Sequence, residues 1–255
     1  MYTEKMIKIK DIYKFLDTLC PFSSACDFDN AGLLVGDKNS EVKKALVTLD
    51  CTLEAVKKAR ELDCRLIITH HPVIFDPIKS VTAGSVVYEL IRADISVISC
   101  HTNLDQAEFG VNYELCRALG LKNIKPFTAL DGFILMSANT VKPCSALEFA
   151  KNVKSALNTS VRYVSSNREI KNVLVCSGSG GGYLSEAVSN GFDAFLTADI
   201  KHNVFIDALN SGFPLFDAGH YQTENIIIRP LCEKLKREFS KTEFIPFDNA
   251  DILFL

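Results

Sequence analysis

No apolar run in this 255-residue chain approaches the ~20 residues that cross a bilayer. Tracts such as Leu66 to Ile68 and Ile95 to Ile98 end within a few residues, so no membrane span is expected. The opening segment MYTEKMIKIKD alternates charged with apolar side chains and lacks the apolar centre of a secretory signal; a cytoplasmic protein is the expectation. No CxxC pair occurs among the nine cysteines, which argues against a thiolate zinc site and reads as a scatter of buried thiols in a reducing compartment. Blocks of five or more like charges are also missing, and 28 basic against 31 acidic residues leave a formal charge of −3. That balance argues against a dedicated nucleic-acid surface. No fixed-period repeat is visible, so a solenoid is excluded. What remains is 47% hydrophobic and 23% charged. Such a chain folds rather than staying disordered or forming collagen, and its length suits one large domain or two small ones.

Ile12, Phe15, Leu16 and Leu19 fall at helical spacing and the pattern stops at Pro21, so a helix opens the chain. Short apolar runs then alternate with helical patterns: strand 44–50 with helix 52–62, strand 65–69 with helix 85–93, strand 95–100 with helix 106–119. The pattern changes over 125–167, where strands 133–138 and 161–164 flank a helix at 146–157. Alternation then resumes up to a strand at 214–217 and a last helix of about 223–239, which Pro230 kinks or splits. The expected fold class is α/β, with mostly parallel sheets and flanking helices in two α/β lobes, layered α/β/α. The first lobe is placed at 1–125 and the second at 126–255, with the C-terminal segment packing back on the first.

Histidines mark the strand ends. His70 and His71 stand in HHP, His101 in CHTNLD and His220 in GHYQTE, each directly after an expected strand. In open parallel sheets ligands bind beyond the carboxyl ends of strands, so these loops can share a crevice. Asp105 lies four residues after His101 and Glu224 four after His220, a spacing that puts two side chains on one helix face. Taken singly, Asp105 reads as a helix cap with Glu108 completing a capping box, and Glu224 as a first-turn carboxylate. Taken jointly, six imidazole and carboxylate groups exceed the ligand needs of one zinc and suit a pair of divalent ions such as zinc, manganese, iron or cobalt. His70 and His71 are neighbours, so serving one ion requires a bend, for which Pro72 is suited, or else two ions.

The glycine-rich CSGSGGG run, Cys176 to Gly182, satisfies neither the GxGxxG register, because Tyr183 stands at the third glycine, nor a P-loop, because no Gly-Lys-Ser/Thr follows. A phosphate cradle and a tight turn both fit it. Asp29 and Asn30 in DFDNAGLLVG, Asp50 after ALVTL, and Asp199 with His202 in TADIKH are lesser candidates. Asp50 is read as supporting a ligand or capping a helix, and His202 as a proton shuttle or a surface histidine.

DFDNAGLLVG, THHP, CHTNLD, the GSG loop, TADIKH and GHYQTE, in this order, resemble the family named after the yeast NGG-one-interacting factor three, whose bacterial members are often labelled GTP cyclohydrolase type 2 homologues. The resemblance runs from about Lys10 to about Asn249, in the family's short form. It implies a ring-shaped homo-hexamer with a dinuclear metal centre in each chain. His70 and Asp105 would hold one ion, His71 and His220 the other, and Glu224 would bridge them, with His101 beside the metals rather than bound to them. Phe28 stands where many members have tryptophan, and Ala198-Asp199 where Gly-Glu is common. These differences bear on substrate shape.

Three functions compete. The first is a metal-dependent hydrolase acting on a phosphorylated or nucleotide-like small molecule, with Glu224 and His101 as its catalytic residues and His101 or His202 moving protons. The second is a non-catalytic metal-handling or regulatory binding protein. The third is an interaction scaffold in which the ring itself matters most. Five shared ligands leave coordination positions open for water, which favours the hydrolase.

Overall fold

The computed structural model describes residues 6–248; Asn249, where the family resemblance ends, lies outside them. The chain divides into two compact units, one made of residues up to Leu104 plus those from Ile228 onward, the other of Asp105–Ile227. Each has its own sheet with flanking helices, a mixed α/β architecture.

The first unit runs through α1 (Ile9–Leu19), β1 (Gly32–Val35), β2 (Lys44–Thr48), α2 (Leu53–Glu61), β3 (Leu66–Thr69), α3 (Val86–Arg92), β4 (Ser96–Ser99) and the single turn α4 (Thr102–Asp105), whose last residue is counted with the second unit. The second unit continues with α5 (Val111–Ala118), β5 (Lys122–Thr128), β6 (Ile134–Cys144), α6 (Ala146–Leu157), β7 (Arg162–Tyr163), β8 (Ile170–Val175), α7 (Leu184–Ser189), β9 (Ala194–Thr197), α8 (His202–Ser211), β10 (Leu215–Asp217) and α9 (His220–Glu224). The chain then returns to the first unit with α10 (Ile228–Glu238) and β11 (Glu243–Pro246).

Strand order in the first unit is β1-β4-β3-β2-β11. All its ladders are parallel except the β1 edge, which pairs antiparallel with β4. Leu66 to Ile68 and Val97 to Ile98 are fully buried, as continuous apolar strands covered on both faces must be. Leu46, Ile67 and Val97 meet Ala55, Val56 and Ala59 of α2 and Leu90 of α3. The amphipathic α10 packs on β11 and β2 and buries Leu231 and Leu235.

In the second unit the order is β5-β6-β8-β9-β10-β7, with parallel pairing confined to β8-β9-β10. Strand periodicity sorts its core into two layers. Met136, Val173, Val175, Leu196 and Phe216 face α5 and α6, while Leu135, Leu174, Phe195 and Leu215 face α7 and α8. A reciprocal capping box between Ser145 and Glu148 opens α6.

Several elements differ from the sequence reading. The helix expected over 106–119 begins at Val111, with Gly110 as its N-cap. Helix α5 packs on β5, β6 and β8, so the units part between Leu104 and Asp105 rather than near residue 125. The last helix is split: α9 and α10 are joined by a 3-10 turn at Asn225–Ile227. Pro230 is the third residue of α10, where a missing N–H forfeits no intrahelical bond. The nine cysteines are free thiols; Cys26, Cys51 and Cys144 are only half-buried, the other six buried. Burial pushes the Cys51 and Cys232 thiols up to about 12 and Cys64 to about 11, so these stay protonated at neutral pH. Among the described residues no helix is long and apolar enough to cross a membrane.

Candidate metal centre

In the first unit three neighbouring strands deliver their carboxyl ends to one place. The parallel β3-β4 register pairs Thr69 with Ser99, and the two buried hydroxyls lie 2.7 Å apart. The next residues, His70-His71 and Cys100-His101, are therefore side by side. The chain bends at His70 and His71, which lets sequence neighbours turn to the same side, as the adjacent pair required. Ring centroids are 5.0 Å apart for His70–His71, 5.3 Å for His70–His101 and 5.6 Å for His71–His101. One ligand-type atom from each of the three lies within 4.8 Å of the others.

The outer nitrogen of each ring is held. Nδ1 of His70 donates to the Cys100 carbonyl at 2.8 Å, that of His71 to Asp50 Oδ1 at 2.7 Å, and that of His101 to Asp29 Oδ1 at 2.8 Å. Carbonyl and carboxylate oxygens only accept, so in the neutral ring the lone pair is assigned to Nε2. Asp29 is itself braced, accepting from the Thr102 backbone at 3.0 Å and from the Thr102 hydroxyl. Its side chain is fully covered. Burial alone raises its pKa, but the bonds from His101 and Thr102 and the charge of His101 outweigh it and hold the carboxyl at about 2.

The second unit gathers acids. Helix α9 puts His220 and Glu224 one turn apart, with Nε2 and Oε2 2.9 Å from each other. Nδ1 of His220 meets Asp199 Oδ2 at 2.7 Å. An imidazole with a carboxylate at each nitrogen needs a second proton, or a cation in its place, between Nε2 and Glu224. Asp105 and Glu224, both buried, offer carboxylate oxygens within 4.8 Å of each other. Asp199 sits at φ +51°, a left-handed conformation that Asp tolerates better than most residues. The buried Asp217 steadies both loops, accepting from Ile200 N and Gly219 N at 3.1 Å and pairing with Arg162.

The glycine-rich loop is a bed for these carboxylates. A Cβ at Gly178, whose φ is +58°, would stand 2.1 Å from Glu224 Oε1 and 3.4 Å from His220 Cε1. Its N–H donates to Thr223 Oγ1 at 3.1 Å, Gly180 N–H to Thr197 Oγ1 at 2.8 Å, and Ser177 N–H to Asn112 Oδ1 at 2.7 Å. The Ser177 hydroxyl reaches Asn112 Oδ1 at 2.9 Å and Asp105 Oδ1 at 3.3 Å. Those three N–H groups are turned into the protein, as in a tight turn.

All six strand-end candidates offer ligand-type atoms in such groups, and geometry does not set His101 apart from His70 and His71. Asp29, Asp50 and Asp199, lesser candidates by sequence, each orient one histidine. His202 is exposed at the start of α8. Ser177, Asn112, Thr102 and Thr223 had no spacing signal, because their partners are distant in sequence. In each unit the donor types, imidazole and carboxylate without thiolate, are ones that suit a divalent ion.

The sequence matches the Duf34/NIF3 (NGG1p interacting factor 3) family over residues 7–251. A Clostridium perfringens protein named GTP cyclohydrolase 1 type 2 homolog is 32% identical over 251 residues, covering 94% of this chain and 95% of that one. Among solved structures, Staphylococcus aureus protein SA1388 superposes with a TM-score of 0.90 at 33% identity, covering 98% of this chain and 100% of that one. Reduced HcgD from Methanocaldococcus jannaschii gives 0.82 at 31% identity, over 95% and 98% of the two chains. With the family matched from end to end of the described residues and relatives above 30% identity covering nearly the whole chain, this protein belongs to the Duf34/NIF3 family.

Proposed function

We propose that the protein is a dinuclear metal-dependent hydrolase of a phosphorylated or nucleotide-like small molecule. In this reading His70 and Asp105 hold one divalent ion, His71 and His220 the other, and Glu224 bridges them. The observation that carries it is the common wiring of four imidazoles: His70, His71, His101 and His220 each hold an oxygen acceptor at Nδ1. Metal-binding histidines are characteristically wired in this way, which sets the tautomer and raises ligand basicity. Ions bound there supply Lewis-acid charge and acidify water near neutral pH. His101 is the proton carrier. Its Nδ1 stays on Asp29, a carboxylate ionised throughout the neutral range, so that Asp29 stabilises the ring when Nε2 takes up a proton. Gly178 and Ser177 keep Glu224 and Asp105 in place. The names of relatives add a GTP cyclohydrolase type 2-like chemistry, and the family resemblance a hexameric ring, as expectations for this chain.

The test is elemental analysis after mild dialysis, with close to two ions per chain expected; at most one, unchanged by added zinc or manganese, ends the dinuclear reading. Turnover is screened on phosphomonoesters, phosphodiesters and nucleoside triphosphates. If wild type, His101→Asn and Glu224→Gln all share one background rate, the bound ions are cargo and metal handling is the function. Light scattering tests the ring, and a stable monomer at micromolar concentration excludes it.

A further inference from the structure

Two phenylalanines, one of them against His101, are more exposed than rings of their size ordinarily are. Phe28 is 68% exposed and Phe75 46%, although rings of this size are ordinarily covered. Their centroids are 6.4 Å apart at an interplanar angle of 52°, and Phe75 stands edge-on to His101 at 6.1 Å and 84°. The loops that carry them are braced. Asn30 Nδ2 donates to the Ile74 carbonyl at 2.6 Å, tying one loop to the other, and Asp29, next to Phe28, is held by His101 and Thr102. A solvent-facing ring on a loop pinned to a candidate proton carrier is placed rather than left over.

We infer that Phe28 and Phe75 form a stacking corner for the flat nitrogen heterocycle of a nucleotide-like ligand. The inference rests on the proposed function for the ligand's nucleotide-like class and for its reacting end, which lies at His101. An open, tilted pair of rings suits a planar partner, which gains contact by lying on a face without being enclosed, whereas an aliphatic group needs a closed pocket. Stacking is also tolerant of base identity, since every base has a π-face. A protein partner is the competing occupant, because Ile78 and Val81 on the same loop as Phe75 are 48% and 42% exposed. The edge contact of Phe75 with His101 favours the small molecule, since it joins the exposed rings to the chemistry.

The experiment measures binding of guanosine 5′-monophosphate and of ribose 5-phosphate, which lacks the base, to the full-length protein with its resident metals. Calorimetry is run on wild type, Phe28→Ala, Phe75→Ala and Phe75→Leu, the last keeping apolar bulk where truncation disturbs the loop. The nucleotide is expected to bind more tightly than the sugar phosphate. Each variant should weaken the nucleotide roughly 5- to 100-fold and leave the sugar phosphate unchanged. Phe28→Trp gives this tryptophan-free chain a reporter whose emission the nucleotide quenches. Equal affinity for both probes, parallel losses for both, or a change in assembly mass on Phe28→Ala overturns the inference, the last by showing the patch to be a surface between copies. Turnover is not read here. A protein that selects the base yet hydrolyses nothing removes the hydrolase reading and leaves the stacking corner standing.

Discussion

Replacing Gly178 with alanine separates two costs that usually arrive together. The residue sits at φ +58°, where an L side chain costs roughly 1–2 kcal/mol per residue. Gly212, in the same unit at φ +61°, has nothing within 4 Å of where its Cβ would stand. Gly212→Ala therefore carries the backbone cost alone, and for a protein of this size should lower the thermal midpoint by about 2–8 °C. Gly178→Ala carries that cost and a collision, because its Cβ would be 2.1 Å from Glu224 Oε1. Ordinary contact begins near 3.4 Å, so the carboxylate must retreat by more than an ångström. Under the proposed function, a displacement of about 1 Å costs on the order of 10²-fold in rate, and Glu224, as the proposed bridge, should release metal when it moves. The assay is a pair of measurements on both variants beside wild type, thermal unfolding and metal content after dialysis. Gly212→Ala should keep its metal while losing stability, and Gly178→Ala should lose both. If the two variants match in metal content, the glycine is not the seat of Glu224 and the loop has been misread.

Four further outcomes follow from the same geometry. Asp29 has a depressed folded pKa, so its contribution of about 2 kcal/mol is present above the ordinary carboxylate value and is lost as pH falls from about 4 through about 2; acid titration of Asp29→Asn should show a flatter stability profile over that window. Asp50→Asn and Asp199→Asn each release the hold on one histidine and should weaken metal affinity by roughly 10–100-fold, read by chelator competition. His101→Asn should retain its metal and lose roughly 10²–10⁴ in turnover; unchanged turnover would falsify the proton-transfer role. Glu224→Gln should weaken both ions and Asp105→Asn mainly one, and equal losses in elemental analysis would contradict a bridge.

The parts of this protein that show in its sequence are those whose partners are local or whose burial is periodic. Strands β2, β3 and β4 are continuous apolar runs and were legible, as was α6, whose Ser145-Glu148 box marks its start. Strand β5 was not, because it is an edge strand with mostly exposed residues and a proline at 126, so no alternation betrays it. The edge strands β1 and β11 are four residues each, too short for a period to register. The histidine and carboxylate candidates stood out in the sequence by their position at strand ends, and the structure groups them. Asp50 and Asp199 share that position, whereas Asp29 lies 72 residues from His101 with no spacing rule to join them. The fate of the glycine run was hidden for the same reason: Gly178 is pressed against a residue on another element, and sequence shows only that glycines are there.

The anchors behind the histidines differ in kind. His71 and His220 lean on carboxyl side chains, Asp50 and Asp199, whereas His70 leans on a main-chain carbonyl. A carboxylate behind an imidazole makes it a stronger electron donor than a carbonyl does. In the proposed pairing, one ion thus faces two enriched imidazoles and the other a single unenriched one with Asp105. Under that pairing the two halves would be electronically unequal, and the centre would fill and empty in sequence. The orientation of His70 is also written into the main chain at the end of β4 rather than into any side chain, so a change of residue type at position 100 leaves the acceptor for that ring in place.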